Sequence, residues 1–489
     1  MLEGLKPEKV FHYFEEISRI PRGSYNEGQI SAYCEEFARD RGLECIRDVH
    51  NNVIIIKGAT DGYENAPAVI IQGHLDMVCE KEATSEHDFK TQPLELVVED
   101  GFVSARGTTL GGDDGIAIAY ALALLDSDDI SHPRLEAVFT VSEETGMEGA
   151  SAIDLSMLEG RYLLNLDSEE EGTLLTSCAG GSHVECTRKV AYGKVVDVFD
   201  NPCFVSITVS GLTGGHSGTE IGKGRANANV LLGRVLAGIR DSGIAFSICG
   251  IDGGSKDNAI PVNACARLVL EDDGSPVNDV IERVAALEGV IGAEYAATDK
   301  GISIGANECD ACEAVMDAAS TDAVIALLNV MPDGVVRQSF DIPGMVETSL
   351  NLGIVGCDED RFHMDYLLRS SRESALDYLE SRLSMIAGGY GAAVNVSSRY
   401  PAWEYIPDSA LRTLMIDTYR DMYGSEPSVE SIHAGVECGI MAGKLEGLDC
   451  VSFGPNLYDI HTPRERMDIA SVGRTWEYIK EILARLKGL

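Results

Sequence analysis

Four apolar runs in this chain each lead into residue types that bind metal ions or move protons. AVIIQG runs into His74-Leu-Asp76, LEAVFTVS into Glu143-Glu144, and RYLLNL into Asp167, while DCVSFG is followed by a loop that reaches His461. A fifth segment, Thr108-Thr-Leu-Gly-Gly-Asp113-Asp114-Gly115, sets two adjacent carboxylates among glycines that permit tight turns and close backbone approach. His74 and Asp76 are two positions apart and share a face on an extended strand. Asp76 can then hold the second imidazole nitrogen of His74 while the first meets a metal. Of the neighbours Glu143 and Glu144, one can ligate while the other works as a base. Each element alone is weak, because an isolated His-x-Asp or Glu-Glu is common at turns. Two histidines and several carboxylates gathered at strand ends form a ligand set for zinc, manganese or cobalt. Two such ions about 3.5–4 Å apart, bridged by a carboxylate, suit hydrolysis.

The elements that must position these residues follow from the hydropathy pattern. Ser24-x-x-Glu27 has the spacing of a capping box opening a helix from Gly28 to Arg41. Strands are expected at Val53–Ile56, Ala68–Gln72, Leu135–Ser142 and Arg161–Leu166, with an Ala- and Leu-rich helix at Ile116–Leu125. Strands alternating with helices predict an α/β fold with parallel elements, whose ligands gather outside the carboxyl ends of the strands. From about residue 183 the style changes to alternating strands such as Cys203–Ser210 and Ala264–Leu270, with helices at Ala226–Ile239 and Ser371–Ile386. Near residue 395 the first style returns, with a helix at Asp408–Tyr423 and a strand at Asp449–Phe453. The pattern predicts a mixed, mostly parallel sheet with flanking helices over residues 1–182 and 395–489, and an α+β domain inserted over residues 183–394.

Composition narrows the function classes. Of 489 residues, 39 are Lys or Arg and 79 are Asp or Glu, a formal net charge of −40. Such a field repels phosphate backbones and anionic lipid, so neither nucleic acid nor a membrane surface is an expected partner. Apolar residues make up 45% of the chain and charged residues 24%, the balance of a globular protein. The N-terminus lacks the pattern of a signal peptide, and no apolar run reaches the about 18 residues of a membrane span. Thirteen scattered cysteines, an odd number, fit reduced thiols in a cytoplasm. Cys309-Asp-Ala-Cys312 has no second pair or histidines near it, and no metal or redox role is assigned to it.

The order HLD, GGDDG, SEE, NLD and a late histidine resembles the M20 metallopeptidase family. The fuller strings QGHLDMV, GTTLGGDDG, SEETGMEGA, LNLDSEEEG, GLTGGHSG, SIHAGVECG and DIHTPRER look like its aminoacyl-histidine dipeptidase branch. Many relatives carry Asp-x-Lys-Gly where this chain has Asp113-Asp114-Gly115, a shorter form similar to that branch. The resemblance implies a zinc-peptidase-like catalytic domain and an inserted lid and dimerisation domain. His74 and Asp167 would bind one metal, Glu144 and His461 the other, and Asp113 rather than Asp114 would bridge them. Asp76 would orient His74, and Glu143 would be the general base for a metal-bridged water. In the inserted domain, His216 would polarise the substrate carbonyl across a dimer, and Asn258 and Arg369 would hold the substrate's carboxylate end. The Gly435 loop would line the substrate site from the catalytic domain. The implied activity is a cytoplasmic, homodimeric dipeptidase with two divalent ions per chain, zinc first and cobalt or manganese next. It would cleave Xaa-His and other unblocked dipeptides. Tripeptidase, carboxypeptidase and N-acyl amino acid deacylase activities are the alternatives within the family.

Overall fold

The run Val-Ile-Ile-Gln-Gly-His at Val69–His74 is buried at every position, as a central strand covered on both faces must be. In the computed structural model, which describes residues 1–358 and 360–489, this strand lies inside an eight-stranded sheet. The order runs Glu44–Arg47, Val53–Lys57, Leu135–Thr140, Val69–His74, Tyr162–Asn165, Asp449–Ser452, Thr173–Cys178 and Ser428–Ile432. The four strands from Leu135–Thr140 to Asp449–Ser452 are parallel to their neighbours in that set. Pairings outside it, such as Val53–Lys57 with Leu135–Thr140, are antiparallel. The sheet is therefore mixed with a parallel centre, and the carboxyl ends of the parallel strands open on one edge.

Helix Gly112–Leu125 is buried along its whole length, which explains its apolar composition on every side. It packs against strand Val69–His74 and against helix Glu8–Ser18, whose Phe11, Phe14 and Ile17 enter the same core. Trp476 of helix Ile469–Arg485 stacks on Tyr120 with ring centroids 6.1 Å apart, and the Tyr120 hydroxyl donates to the Val472 carbonyl. A leucine truncated to alanine in such a helix costs about 2–5 kcal/mol.

The chain divides into two units. One comprises Met1–Cys178, Trp403–Ser431 and Val436–Leu489; the other comprises Ala179–Ala402 with Ile432–Gly435. The second unit is built on a nine-stranded sheet whose registered pairs are all antiparallel. Helices Ala228–Asp241, Pro276–Glu294, Ala318–Val330 and Glu373–Gly389 contribute Leu232, Val284, Leu328 and Leu379 to its core. The boundaries expected at 182/183 and 394/395 fall inside this sheet. Strand Gly180–Lys189 pairs with both Arg361–Ser370 and Ala393–Tyr400, and so draws its flanks into the second unit. The Gly435 segment, expected with the first unit, packs with the second.

Candidate active site

Asp76 organises the edge of the first sheet. Its Oδ1 lies 3.4 Å from His74 Nδ1 and accepts the Glu143 N–H at 3.0 Å. Its Oδ2 accepts the Ser24 hydroxyl at 2.8 Å and the Glu144 N–H at 3.3 Å. One buried carboxylate thus faces the histidine and anchors the Glu143-Glu144 turn. Glu27 holds the same turn from the other side, accepting both the backbone N–H and the hydroxyl of Ser142. Ser24 and Glu27 therefore do not form the capping box their spacing suggested. Helix Gly28–Asp40 starts without a side-chain cap, because both side chains are drawn to the site.

Across from this turn, His74 Nε2 lies 3.1 Å from Asp113 Oδ1 and 3.6 Å from Asp167 Oδ1. His461 Nε2 lies 2.9 Å from Asp113 Oδ2 and 3.1 Å from Glu144 Oε1. Asp113 thus divides its two oxygens between the two imidazoles. Asp114 Oδ2 accepts the backbone N–H of His74 at 3.1 Å. His461 (φ 59°) and Ser142 (φ 52°) adopt the left-handed region that non-glycine residues enter at a cost, as happens at functional sites. Two overlapping groups, His74-Asp113-Glu144 and His74-Asp114-Asp167, bring their ligand atoms within 4.8 Å of one another. Asp113 and Asp114 both remain within reach of an ion.

The electrostatics test whether a cation fits. Burial pushes Asp167 up to about 7 and raises Asp114 well above the carboxylate range, with Asp167 adding to the rise at Asp114. Burial also raises Glu143, with His74 opposing and Asp167 reinforcing. Asp113 is held below the usual range because hydrogen bonds from His461 and His74 outweigh its burial. His461 is pushed up to about 10 by its hydrogen bonds to Asp113 and Glu144. Buried carboxylates that raise one another are short of positive charge, and oxygen and imidazole donors of this kind suit divalent ions. The residues fit two such ions: His74, Asp167, Glu144, His461 and the intervening Asp113 can hold them.

His216, Asn258, Arg369 and Gly435 belong to the second unit. His216 Nδ1 accepts the N–H groups of Gly218 at 3.2 Å and Thr219 at 3.1 Å, which leaves the proton of the neutral ring on Nε2. Its pKa is lowered by burial and then by the Arg369 charge. Arg369 is 6% exposed and donates from Nη1 to the Tyr400 hydroxyl at 2.9 Å. Gly435 lies against that tyrosine: a Cβ there would stand 2.7 Å from Tyr400 Cε2. Asn258 presents an exposed side chain, and its carbonyl accepts the Ser217 N–H at 2.9 Å.

Sequence reasoning missed several polar residues that build this framework. Buried His433 joins its Nε2 to Ser349 Oγ at 2.7 Å in the second unit. Glu437 accepts the Thr140 hydroxyl at 2.7 Å beneath the first sheet's edge. Glu465 accepts the N–H groups of Leu110, Gly111, Gly112 and Asp113. Their only local signal was proximity to motif residues, His433 and Glu437 in SIHAGVECG and Glu465 in DIHTPRER.

The sequence profile of peptidase family M20/M25/M40 matches residues 70–485. The chain belongs to this family. As an M20 peptidase it is a hydrolase of peptide bonds. It is 36% identical over 485 residues to the cytosol non-specific dipeptidase of Escherichia coli (strain K12), covering 99% of each chain. The crystal structure of aminoacylhistidine dipeptidase from Vibrio alginolyticus superposes with a TM-score of 0.93 at 34% identity, over 99% of this chain and 98% of that one. The aminopeptidase PepT from Bacillus cereus shares the fold at a TM-score of 0.56 and 16% identity, over 99% of both chains. Among the described residues, no helix is long and apolar enough to cross a membrane.

Proposed function

We propose that this M20 peptidase is a two-metal dipeptidase that cleaves Xaa-His and other dipeptides with a free amino end, with zinc as its metal. The observation that carries the reading is the division of Asp113 between His74 and His461, which sets one carboxylate against both imidazoles. Full-length likeness to two dipeptidases supports the substrate class.

When bound, the two cations polarise the peptide carbonyl and make water acidic enough to attack near neutral pH. The chain's own residues do the rest. His74, Asp167 and Asp113 would hold one ion, and Glu144, His461 and Asp113 would hold the other. Asp76 keeps the imidazole of His74 turned to its ligand side. Glu143, beside the ligand Glu144 but with its own carboxylate left free, takes the water proton and delivers it to the leaving amine. His216, reaching the site across the homodimer, would donate its Nε2–H to the oxygen on which negative charge develops. Arg369, with Asn258, takes the terminal carboxylate through a forked pair of hydrogen bonds, and the Gly435 segment shapes that pocket. Fixing the carboxylate end limits substrate length and favours dipeptides. The second unit also carries the contact of a homodimer, and the protein works in the cytoplasm; light scattering of the purified chain checks the first point.

The test is a panel of Xaa-His and other dipeptides, tripeptides and N-acetyl amino acids, assayed with zinc, cobalt or manganese. Dipeptides should lead in kcat/KM, with zinc at least as effective as the other ions. Preference for tripeptides or N-acyl amino acids overturns the reading in favour of another M20 activity.

A further inference from the structure

A buried pair of opposite charges grips the loop that carries Asp113. Glu465 is 2% exposed. Its Oε2 accepts the N–H groups of Leu110 at 2.8 Å and Gly111 at 3.0 Å; its Oε1 accepts those of Gly112 at 2.7 Å and Asp113 at 3.4 Å. Arg22, also 2% exposed, approaches the same loop from the other side and donates from Nη2 to the Gly111 carbonyl. Its Nη1 donates to the carbonyls of Leu75 at 3.0 Å and Asp76 at 2.9 Å. The Gly111 residue is thus held by its N–H on one side and its C=O on the other. The glycines of the loop follow from this. Gly111 has φ 65°, and a Cβ there would stand 2.6 Å from Arg22 Nη2. A Cβ on Gly115 would collide with the same guanidinium.

We propose that Arg22 and Glu465 are positioning residues that set the place of Asp113 relative to His74 and His461, and thereby the metal affinity of the site. The inference rests on the two-metal reading above. Three ligand-bearing segments meet at this clamp. Arg22 holds the two residues that follow His74. Glu465 holds the amide of Asp113 itself and lies four residues after His461 on the same loop. A metal site tolerates only a few tenths of an ångström at each ligand, so a loop held by five hydrogen bonds, four from its N–H groups to Glu465 and one from Arg22 to the Gly111 carbonyl, matters more here than its stability contribution alone. Groups that orient ligands typically change affinity by about 10–100-fold when replaced.

The experiment is a Co(II) titration of the metal-stripped full-length protein, followed by its visible absorption, on the wild type, Glu465→Gln and Arg22→Lys. Glu95→Gln, which alters an exposed pair with Arg106, is the control. Glutamine keeps the shape of Glu465 but turns an N–H donor towards backbone donors. Lysine keeps the charge of Arg22 but cannot span three carbonyls with a planar fork. The wild type and control should take up two ions per chain. Glu465→Gln should weaken one of the two by about 10–100-fold, and Arg22→Lys should shift binding in the same direction. At saturating Co(II), kcat should fall about tenfold or more with KM within about twofold, because misplaced ligands act on the reacting centre. Variants that melt earlier yet bind both ions as the wild type does would show a merely structural role and overturn the inference. If Glu465→Gln does not fold, Arg22→Lys decides by the same titration, and wild-type binding there overturns it. Fewer than two ions on the wild type overturns the two-metal reading first and this inference with it; two ions there with unchanged variants overturns the inference alone.

Discussion

Asp113 Oδ2 lies 2.9 Å from His461 Nε2, although 348 positions separate the two residues in the chain. The other oxygen of Asp113 turns to His74 Nε2 at 3.1 Å. A carboxylate placed in this way can serve two ions at once, while its neighbour Asp114 spends an oxygen on the His74 backbone.

This arrangement separates two adjacent residues by experiment. Asp113→Asn should bring bound metal below one ion per chain after dialysis and lower kcat/KM about 10³-fold or more, since the anion that faces both imidazoles is lost. Asp114→Asn keeps an oxygen for the His74 N–H and should retain at least one ion. Elemental analysis of both variants checks the difference, and equal losses would remove the distinction.

Glu143 is predicted to act on protons rather than on metal. Glu143→Gln should keep two ions per chain and lose about 10³-fold or more in kcat, the scale of a lost general base combined with a misdirected hydrogen bond. Metal content and turnover measured on one preparation test this. Loss of an ion in step with activity would make Glu143 a ligand instead.

Arg369, Tyr400 and Gly435 form one packed set in the second unit. Gly435→Ala should press on the Tyr400 ring and disturb the guanidinium that its hydroxyl receives. Arg369→Lys removes the fork outright. Both should raise KM for dipeptides, by about tenfold or more for Arg369→Lys, with smaller effects on kcat. Steady-state kinetics on unblocked and C-terminally amidated dipeptides provide the check. The amide should already bind poorly to the wild type and lose little further in the variants.

His433 gives stability a dependence on pH. Burial, and then the Arg369 charge, lower its pKa from 6.5 to about 3. Between those values the unfolded chain binds more protons than the folded one, so stability rises with pH. The contribution is fully present above pH 6.5 and is lost as the pH falls towards about 3, by up to about 1.4 kcal/mol per unit. His433→Gln, which can still bond Ser349, should flatten the slope of urea stability between about pH 6.5 and 4.5 relative to the wild type. An unchanged slope would assign the acid sensitivity to other groups.

The sequence by itself determined the parallel-centred sheet and the strand-end placement of His74, Glu144 and Asp167. Those features arise from contiguous apolar runs and from the turns that end them, which are local properties of the chain. The strands Leu135–Thr140 and Tyr162–Asn165 occupy the expected runs for that reason. Tertiary structure alone decided which oxygen of Asp113 meets which imidazole. It also took Ser24 and Glu27 from helix capping to the site, and Glu465 to the amides of a loop more than 350 positions away. These are bonds to backbone groups or between distant side chains, and any suitably placed polar residue can make them. They leave no period or spacing in the sequence, because their geometry exists only once the packed core has brought the loops together.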